Sequence, residues 1–347
     1  MLLLALIWVA SLLVVNPLGD FPLNDDWSFG LAVKRLLQTG EFRPTGWTSM
    51  PLITQTLWGS LFCLPAGFSF NALRLSTLLL SLCGLLVVYL LVRQVHPSRF
   101  LAAFVALTVG FNPIYYALSN TFMTDVPFIA FLLGAAWFFS RNLQGGSDID
   151  LLCGLACALA ATLCRQLGLA APLGFLVCLL WSRGTSARWV IRALLPFGLC
   201  LGALLAFQHW LQANGRLPAL YTLKDQALSS VVSRPRQFVP GLAKHIGTAL
   251  LYLGWFSLPV IVLVLPAAAR AAGLCSAQSW FSPWPEGQCR RRATSYWRRA
   301  SAPCLCGTCI SSTCHICPLW GKASGWRLLP HLCWAGLCWL ALRLEWP

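Results

Sequence analysis

The sequence predicts an all-α polytopic membrane protein, and three observations lead there. Of 347 residues, 58% are hydrophobic and only 10% are charged, with a mean hydropathy of +0.69. A water-soluble fold carries about 25% charged residues, so this chain lacks the polar surface to cover a soluble body. Apolar runs near the length of a bilayer crossing recur along residues 1–266. The net charge of +15 is spread between those runs, as membrane-flanking charges are, and not gathered as a nucleic-acid face would be. No nucleic-acid partner is expected.

A hydrocarbon core of about 30 Å needs about 20 residues of helix. Runs at 1–18, 72–92, 100–118, 126–140, 151–165, 166–182, 190–210 and 246–266 give eight candidate spans. The first could also be a signal peptide, but a basic start and a small-residue cleavage site are both missing; the missing basic start suggests that a short N-terminal piece is not represented. The three spans from 126 to 182 are short and are expected to tilt or be buried among neighbours. Arg93 and Arg99 follow the second span, Arg141 the fourth, Arg183, Arg188 and Arg192 the sixth, and Arg270 the eighth. Parity puts all seven on one side, cytoplasmic by the positive-inside rule. The 19–71 segment, the Asn120–Asp125 turn and the 211–245 loop then share the outer side.

Composition changes near residue 270. Residues 1–270 hold 7 Cys and 9 Trp, whereas 271–347 hold 9 Cys and 8 Trp, with Arg290-Arg291-Arg292, Arg298-Arg299 and only Glu286 and Glu345 as acids. The tail shows no sustained periodicity. Such a mixture is what a GC-rich gene gives when read out of frame, so 271–347 is expected to be non-native or disordered. Two rivals stand beside that reading. Cys306-x-x-Cys309 and Cys314-x-x-Cys317 look like zinc half-sites, though four intervening residues are few for a zinc ribbon. A disulfide module would leave one of nine cysteines unpaired. The seven earlier cysteines lie singly in apolar runs, as small buried hydrophobes do.

Within 19–71, residues 26–38 set Trp27, Leu31, Leu36 and Leu37 among polar neighbours, as in an interfacial amphipathic helix. Residues 51–67 form another apolar stretch. Taken as a ninth span it would invert every later loop, so it is expected to be a second interfacial helix. The scarce acids are placed tellingly. Asp20, Asp25 and Asp26 follow the first span, and Asp125 opens the fourth. A carboxylate near the hydrocarbon boundary is costly unless it meets water, a cation or a reacting hydroxyl. The alternative is capping, with Asp25 starting helix 26–38 and Asp125 starting the fourth span.

The run Asn16-Pro-Leu-Gly-Asp-Phe-Pro-Leu-Asn-Asp-Asp-Trp27 resembles the first outer loop of the GT-C glycosyltransferases, in the family 39-like group of protein mannosyltransferases, lipid A aminoarabinose transferases and lipopolysaccharide-core transferases. In that group an acidic pair follows the first helix and an amphipathic helix comes next. Asn71-Ala-Leu-Arg-Leu is similar to the family's second span, Phe122-Met-Thr-Asp-Val-Pro-Phe to its second outer loop, and Cys164-Arg-Gln-Leu-Gly-Leu-Ala-Ala-Pro to a later basic segment. The pair is Asp-Asp here where Asp-Glu is commoner in the family. The resemblance covers about residues 1–266 and implies a GT-C-like bundle over 1–270, incomplete because such enzymes usually continue with further spans; with a non-native tail, whether this chain is active stays open.

What the resemblance implies is transfer of a sugar from a polyprenyl-phosphate donor to a hydroxyl of a lipid, glycan or protein acceptor, on the outer face of a bacterial inner (plasma) membrane, with membrane lipids around it. No cofactor or metal is expected. Asp25 or Asp26 would be the general base, Asp125 an orienting acid, and Arg165 the cation that steadies the departing phosphate. Arg74 and Lys224 are further candidates for that duty. For Arg165 the competing reading is snorkelling at the interface.

Other patterns carry less. Asp148-Ile-Asp150 has the DxD form used with metals and nucleotide-sugars but lies in a cytoplasmic loop, where a solvated turn is expected. Gly198-x-x-x-Gly202 has a helix-packing form. His96, His209, His245, His315 and His331 show no metal spacing, and GxGxxG, P-loop and GxSxG patterns are absent. A multispan secondary transporter is the rival function. It would place ionisable residues mid-membrane in two related halves, whereas here the acids lie at one surface and no internal repeat is visible.

Overall fold

Helices stand where the apolar runs lie. The structure, a computed structural model, describes residues 1–233 and 240–262, and among these the regular elements are helical. In chain order they are α1 (Leu2–Val15), α2 (Asp26–Thr39), α3 (Ile53–Cys63), α4 (Phe70–Val95), α5 (Arg99–Gly110), α6 (Pro113–Ser119), α7 (Asp125–Leu143), α8 (Asp148–Cys164), α9 (Ala170–Arg183), α10 (Ala187–Ala213) and α11 (Ala219–Ser233), then α12 (Pro240–Val262). A 3-10 turn, Gln166–Leu169, leads into α9. The chain is thus an all-α polytopic membrane protein. The readings of residues 271–347, including the zinc and disulfide alternatives, and Arg270 itself fall outside the described residues.

Among the described residues, five helices are long and apolar enough to cross a membrane: α4, α7, α9 with its 3-10 lead-in, α10 and α12. Eight spans were expected, and a helix does stand at each place, but two fall short in length. At 1.5 Å per residue, α1 with 14 residues and α8 with 17 reach only about 21 and 26 Å. The expected continuous span 100–118 is broken. Pro113 opens α6, the Asn112 side chain caps it by accepting from the Ile114 and Tyr115 N–H groups, and α5 and α6 meet at a 69° bend, a sixth crossing if the pair counts as one. Helix α1 stops at Asn16, whose φ of 48° lies in the left-handed region, and Pro17 follows.

Between helices in a bilayer there is little hydrophobic driving force, so close packing and buried polar contacts decide the arrangement. Phe128, Phe139, Phe175 and the small residues Ala135, Ala158, Ala161 and Ala171 form the core shared by α7, α8, α9 and α10. Trp8 of α1 packs with Leu85, Tyr115 and Val126 in a second core, its ring edge-on to Tyr116 at 5.3 Å. A third core joins Phe29, Ala32 and Val33 of α2 to Cys63, Leu73 and Phe122. Gly59 is what lets Phe122 in, for a Cβ there would lie 2.6 Å from the Phe122 ring. By contrast, Gly198 and Gly202 of α10 meet nothing within 4 Å among the described residues, so the expected helix-packing role is not seen there. Of the seven early cysteines, Cys63, Cys164 and Cys200 are buried, while Cys83 is exposed.

Helices stand in both stretches expected to be interfacial, α2 for 26–38 and α3 within 51–67, with one correction. The face of α2 turned to the bundle carries Asp26, Phe29, Gly30 and Val33, spaced three and four apart as one helix stripe requires. Trp27, expected on the apolar face, is 41% exposed.

Antiparallel α7 and α8 are stapled by an ion pair at either end: Asp125 to Arg165 at one, Arg141 to Asp150 at the other. At the Arg141 end, Ser140 Oγ donates to Gln94 Oε1 at 2.7 Å and Arg192 pairs with Asp148. Arg141 and Arg192 thus lie at the end of this hairpin away from Asp125 and Arg165.

Candidate active site

The acidic pair divides into two different environments. Asp26 is fully buried. Its Oδ1 accepts the Leu23 N–H at 2.6 Å and its Oδ2 accepts the Phe122 N–H at 3.3 Å. Burial pushes its carboxyl above the ordinary value of 3.8; the two N–H donors and the nearby Arg74 charge oppose that without reversing it. Asp25 is half-buried at the N-cap position of α2, yet its side chain makes no cap hydrogen bond. Among the described residues no donor or cation takes its carboxylate.

Phe122 is the hinge of the site. Gln55 Nε2 of α3 donates to its carbonyl at 2.6 Å, so both sides of this residue's backbone are held by buried side chains, Asp26 on one and Gln55 on the other. Two residues on, Thr124 is fully buried and its Oγ1 accepts from Arg165 Nε at 2.7 Å. Asp125 follows as the first residue of α7, with Oδ2 3.1 Å from Arg165 Nη2. Asp125 is therefore held in an ion pair, and the Thr124 N-cap makes no side-chain cap hydrogen bond. Arg165 is 6% exposed, which corrects the snorkelling alternative. Its backbone is extended at the point where α8 gives way to the 3-10 turn, and this break aims the guanidinium back at α7.

Lys224 joins the same neighbourhood from α11. Its Nζ donates to Ser49 Oγ at 2.8 Å, and the Ser49 carbonyl accepts from Gln166 Nε2 at 3.0 Å, so one serine links Lys224 to the residue after Arg165. The Leu52 N–H reaches the Cys164 carbonyl at 3.4 Å, tying the same loop to the end of α8. Arg74 lies elsewhere. Almost wholly buried, it donates from Nη1 to the carbonyls of Pro17 and Gly19 at 3.1 and 2.6 Å and from Nη2 to the carbonyl of Phe21, with its guanidinium 5.0 Å from the Phe21 ring centre. It pins the loop that delivers the acidic pair. Asp20 works on the same loop, accepting from Ser69 Oγ and the Phe70 N–H at the head of α4.

Thus Asp26 meets the 122–125 turn, and that turn carries Asp125 to Arg165. The partners Gln55, Ser49, Thr124 and Gln166 were missed by sequence reasoning, and their polar side chains inside apolar stretches were the only available signal. At the opposite end, Asp148-Ile-Asp150 is occupied structurally. Asp150 forms a capping box with Ser147 and pairs with Arg141 at 3.0 Å. Asp148 is exposed, as a solvated turn implies, but Asp150 is buried because its carboxylate has these partners. Among the described residues no group of three His, Cys, Asp or Glu side chains is placed to hold a metal.

Residues 50–211 match the family model described as dolichyl-phosphate-mannose-protein mannosyltransferase. No curated protein and no solved structure matches the chain. The matched stretch is somewhat under half of the chain; it contains Arg74, Asp125 and Arg165 and begins after the acidic pair. Over that stretch the chain is similar to a membrane glycosyltransferase family of the GT-C type, and its long apolar helices fit a multi-pass membrane protein.

Proposed function

We propose that the chain moves a sugar from a polyprenyl-phosphate donor to an acceptor hydroxyl on a lipid, glycan or protein, at the outer face of a bacterial inner membrane. The acceptor oxygen attacks the anomeric carbon, the bond from that carbon to the phosphate oxygen breaks, and the polyprenyl phosphate leaves with the bonding pair. Asp25 takes the hydroxyl proton as general base. Asp26, with both oxygens engaged by backbone N–H groups, positions Asp25 at the head of α2. Arg165, held by Thr124 and Asp125, steadies the growing phosphate charge, and Lys224 assists from Ser49. Arg74 acts through the 17–21 loop that it clamps.

The observation that carries this reading is the contrast at one end of the bundle: a half-buried carboxylate with no partner among the described residues, Asp25, sits beside a buried acid whose contacts lead directly to the Asp125–Arg165 ion pair. A base needs a free carboxylate and a departing phosphate needs a fixed cation. Membranes containing the full chain, given a radiolabelled polyprenyl-phosphate sugar, should form labelled product. Asp25→Asn should lower its rate about 10²-fold or more. Wild-type rates in the Asp25→Asn, Asp26→Asn double variant would defeat the base assignment.

A further inference from the structure

At the turn between α9 and α10 two arginines are gathered on one indole. Gly184, with a φ of 81°, ends α9 and reverses the chain, and Ser186 precedes α10 two residues later. Arg183 and Arg188 reach in from either side of this turn, their guanidinium carbons 5.6 and 5.4 Å from the Trp189 ring centre. Both are within cation–π range of the same ring, so two positive charges are held close together. Trp189 is half-buried against the core shared by α7 to α10, which fixes this platform, while both arginines are exposed.

The acids near this turn are already taken. Asp150 pairs with Arg141 and Asp148 with Arg192, so Arg183 and Arg188 have no acidic partner among the described residues. The Arg192–Asp148 contact sets the turn beside the start of α8, at the end of the hairpin away from Asp125 and Arg165. From Gln166 to Arg183 is 18 residues of apolar helix, about 27 Å, so Arg183 stands where a crossing helix leaves the hydrocarbon. Toward the bilayer interior both helices turn apolar stripes outward: Leu173, Val177 and Trp181 on α9, and Ile191, Leu195 and Leu199 on α10, all exposed and each four residues after the last. Apolar faces for acyl chains, an aromatic ring at the interface and guanidinium forks for a phosphodiester are what an anionic phospholipid asks of a protein surface.

We propose that Arg183, Arg188 and Trp189 bind the head of one anionic glycerophospholipid. Its phosphodiester is shared by the two guanidinium groups beside the indole, and its acyl chains lie along the exposed stripes of α9 and α10. A zwitterionic lipid carries the same phosphate, but its own cationic group meets the arginines as a like charge. A free phosphate gains nothing from the apolar stripes. The site is independent of sugar transfer and shares no residue with the catalytic set, so the two readings stand or fall separately.

The test titrates the full chain, purified in a neutral detergent, with dioleoyl phosphatidylglycerol or dioleoyl phosphatidylcholine and counts bound lipid by native mass spectrometry. The wild type should retain the anionic lipid about tenfold more tightly than the zwitterionic one. Arg183→Gln with Arg188→Gln should erase that preference and leave phosphatidylcholine binding unchanged. Arg93→Gln with Arg99→Gln removes the same amount of charge from other loop positions and should keep the preference. Arg183→Lys with Arg188→Lys preserves the charge without the planar forks and should keep only part of it. Both arginines are exposed, so the melting temperature of the lipid-free variants should stay near wild type. Equal wild-type affinity for the two lipids would overturn the proposal. So would an equal loss in both glutamine pairs, which would make net charge the attraction, or displacement of the lipid by excess inorganic phosphate, which would make this a site for free anions.

Discussion

The Asp26 carboxylate reaches 96 residues along the chain to accept the Phe122 N–H at 3.3 Å, and this contact fastens the helix bearing the acidic pair to the turn that carries Asp125. Through it, two segments that sequence could place only on the same side of the membrane become parts of one site. The contact also separates the roles of two adjacent aspartates: Asp26 is occupied, and Asp25 has no partner among the described residues.

Asp26→Asn should destabilise the protein by about 1–3 kcal/mol, because an amide nitrogen would face one of two backbone N–H donors and leave it unpaired. The pH dependence has a defined sign. The folded-state value is raised by burial above 3.8, so the contribution of this group to stability is fully present below about pH 3.8 and is lost as pH rises through the folded value. Thermal melts in detergent from acid to neutral pH should show that decline in the wild type, and Asp26→Asn should flatten it.

Removing one partner of the Asp125–Arg165 pair leaves a charge stranded in a mostly buried place. Breaking such a pair costs about 3–5 kcal/mol. Asp125→Asn and Arg165→Met should each lower the melting temperature, and the double variant should lose less than the sum. Arg165→Lys keeps the charge but cannot reach Thr124 and Asp125 together. It should recover part of the stability and only a small share of transfer, read as kcat in the radiolabel assay.

Arg74→Met should release the 17–21 loop, since three carbonyls lose a charged donor. We expect a stability loss of about 3 kcal/mol and faster proteolysis between Pro17 and Phe21. The donor KM should change little if Arg74 acts through the loop, whereas a large rise in KM would return it to the phosphate-binding set.

Asp148→Asn touches only the ion pair with Arg192 at the opposite end of the hairpin. An exposed pair is worth about 0–1 kcal/mol, so stability and transfer rate should both stay near wild type. A loss of transfer would make the DxD form functional after all.

Much of the architecture was legible in the sequence because membrane helices announce themselves by length and hydropathy. The site was legible only in outline. Acid positions and loop parity point to Asp25, Asp26, Asp125 and Arg165, but partners such as Gln55 and Ser49 lie across 67 and 117 residues of chain, beyond the reach of any local pattern. The burial of Asp26 was readable in principle from its spacing to Phe29 and Val33; attention to Trp27 and Leu31 picked the wrong face. Asn112-Pro113 likewise carried a helix-start signal inside the 100–118 run. Arg74 resisted reading because backbone carbonyls, its partners, leave no trace in side-chain composition.

The tail after residue 270 remains our proposal of a shifted frame, resting on its Cys, Trp and Arg content. Sequencing the gene across codon 270 should reveal an insertion or deletion whose repair restores further apolar spans. An intact frame encoding the same residues would remove that explanation.

The central claim is that Asp25 deprotonates the acceptor in a sugar transfer from a polyprenyl phosphate. Single-turnover transfer measured with donor in excess, for wild type and Asp25→Asn folded to the same melting temperature, tests it most directly. We expect labelled product from the wild type and a rate reduced about 10²–10⁴-fold in the variant. Equal rates in the two proteins would contradict the account.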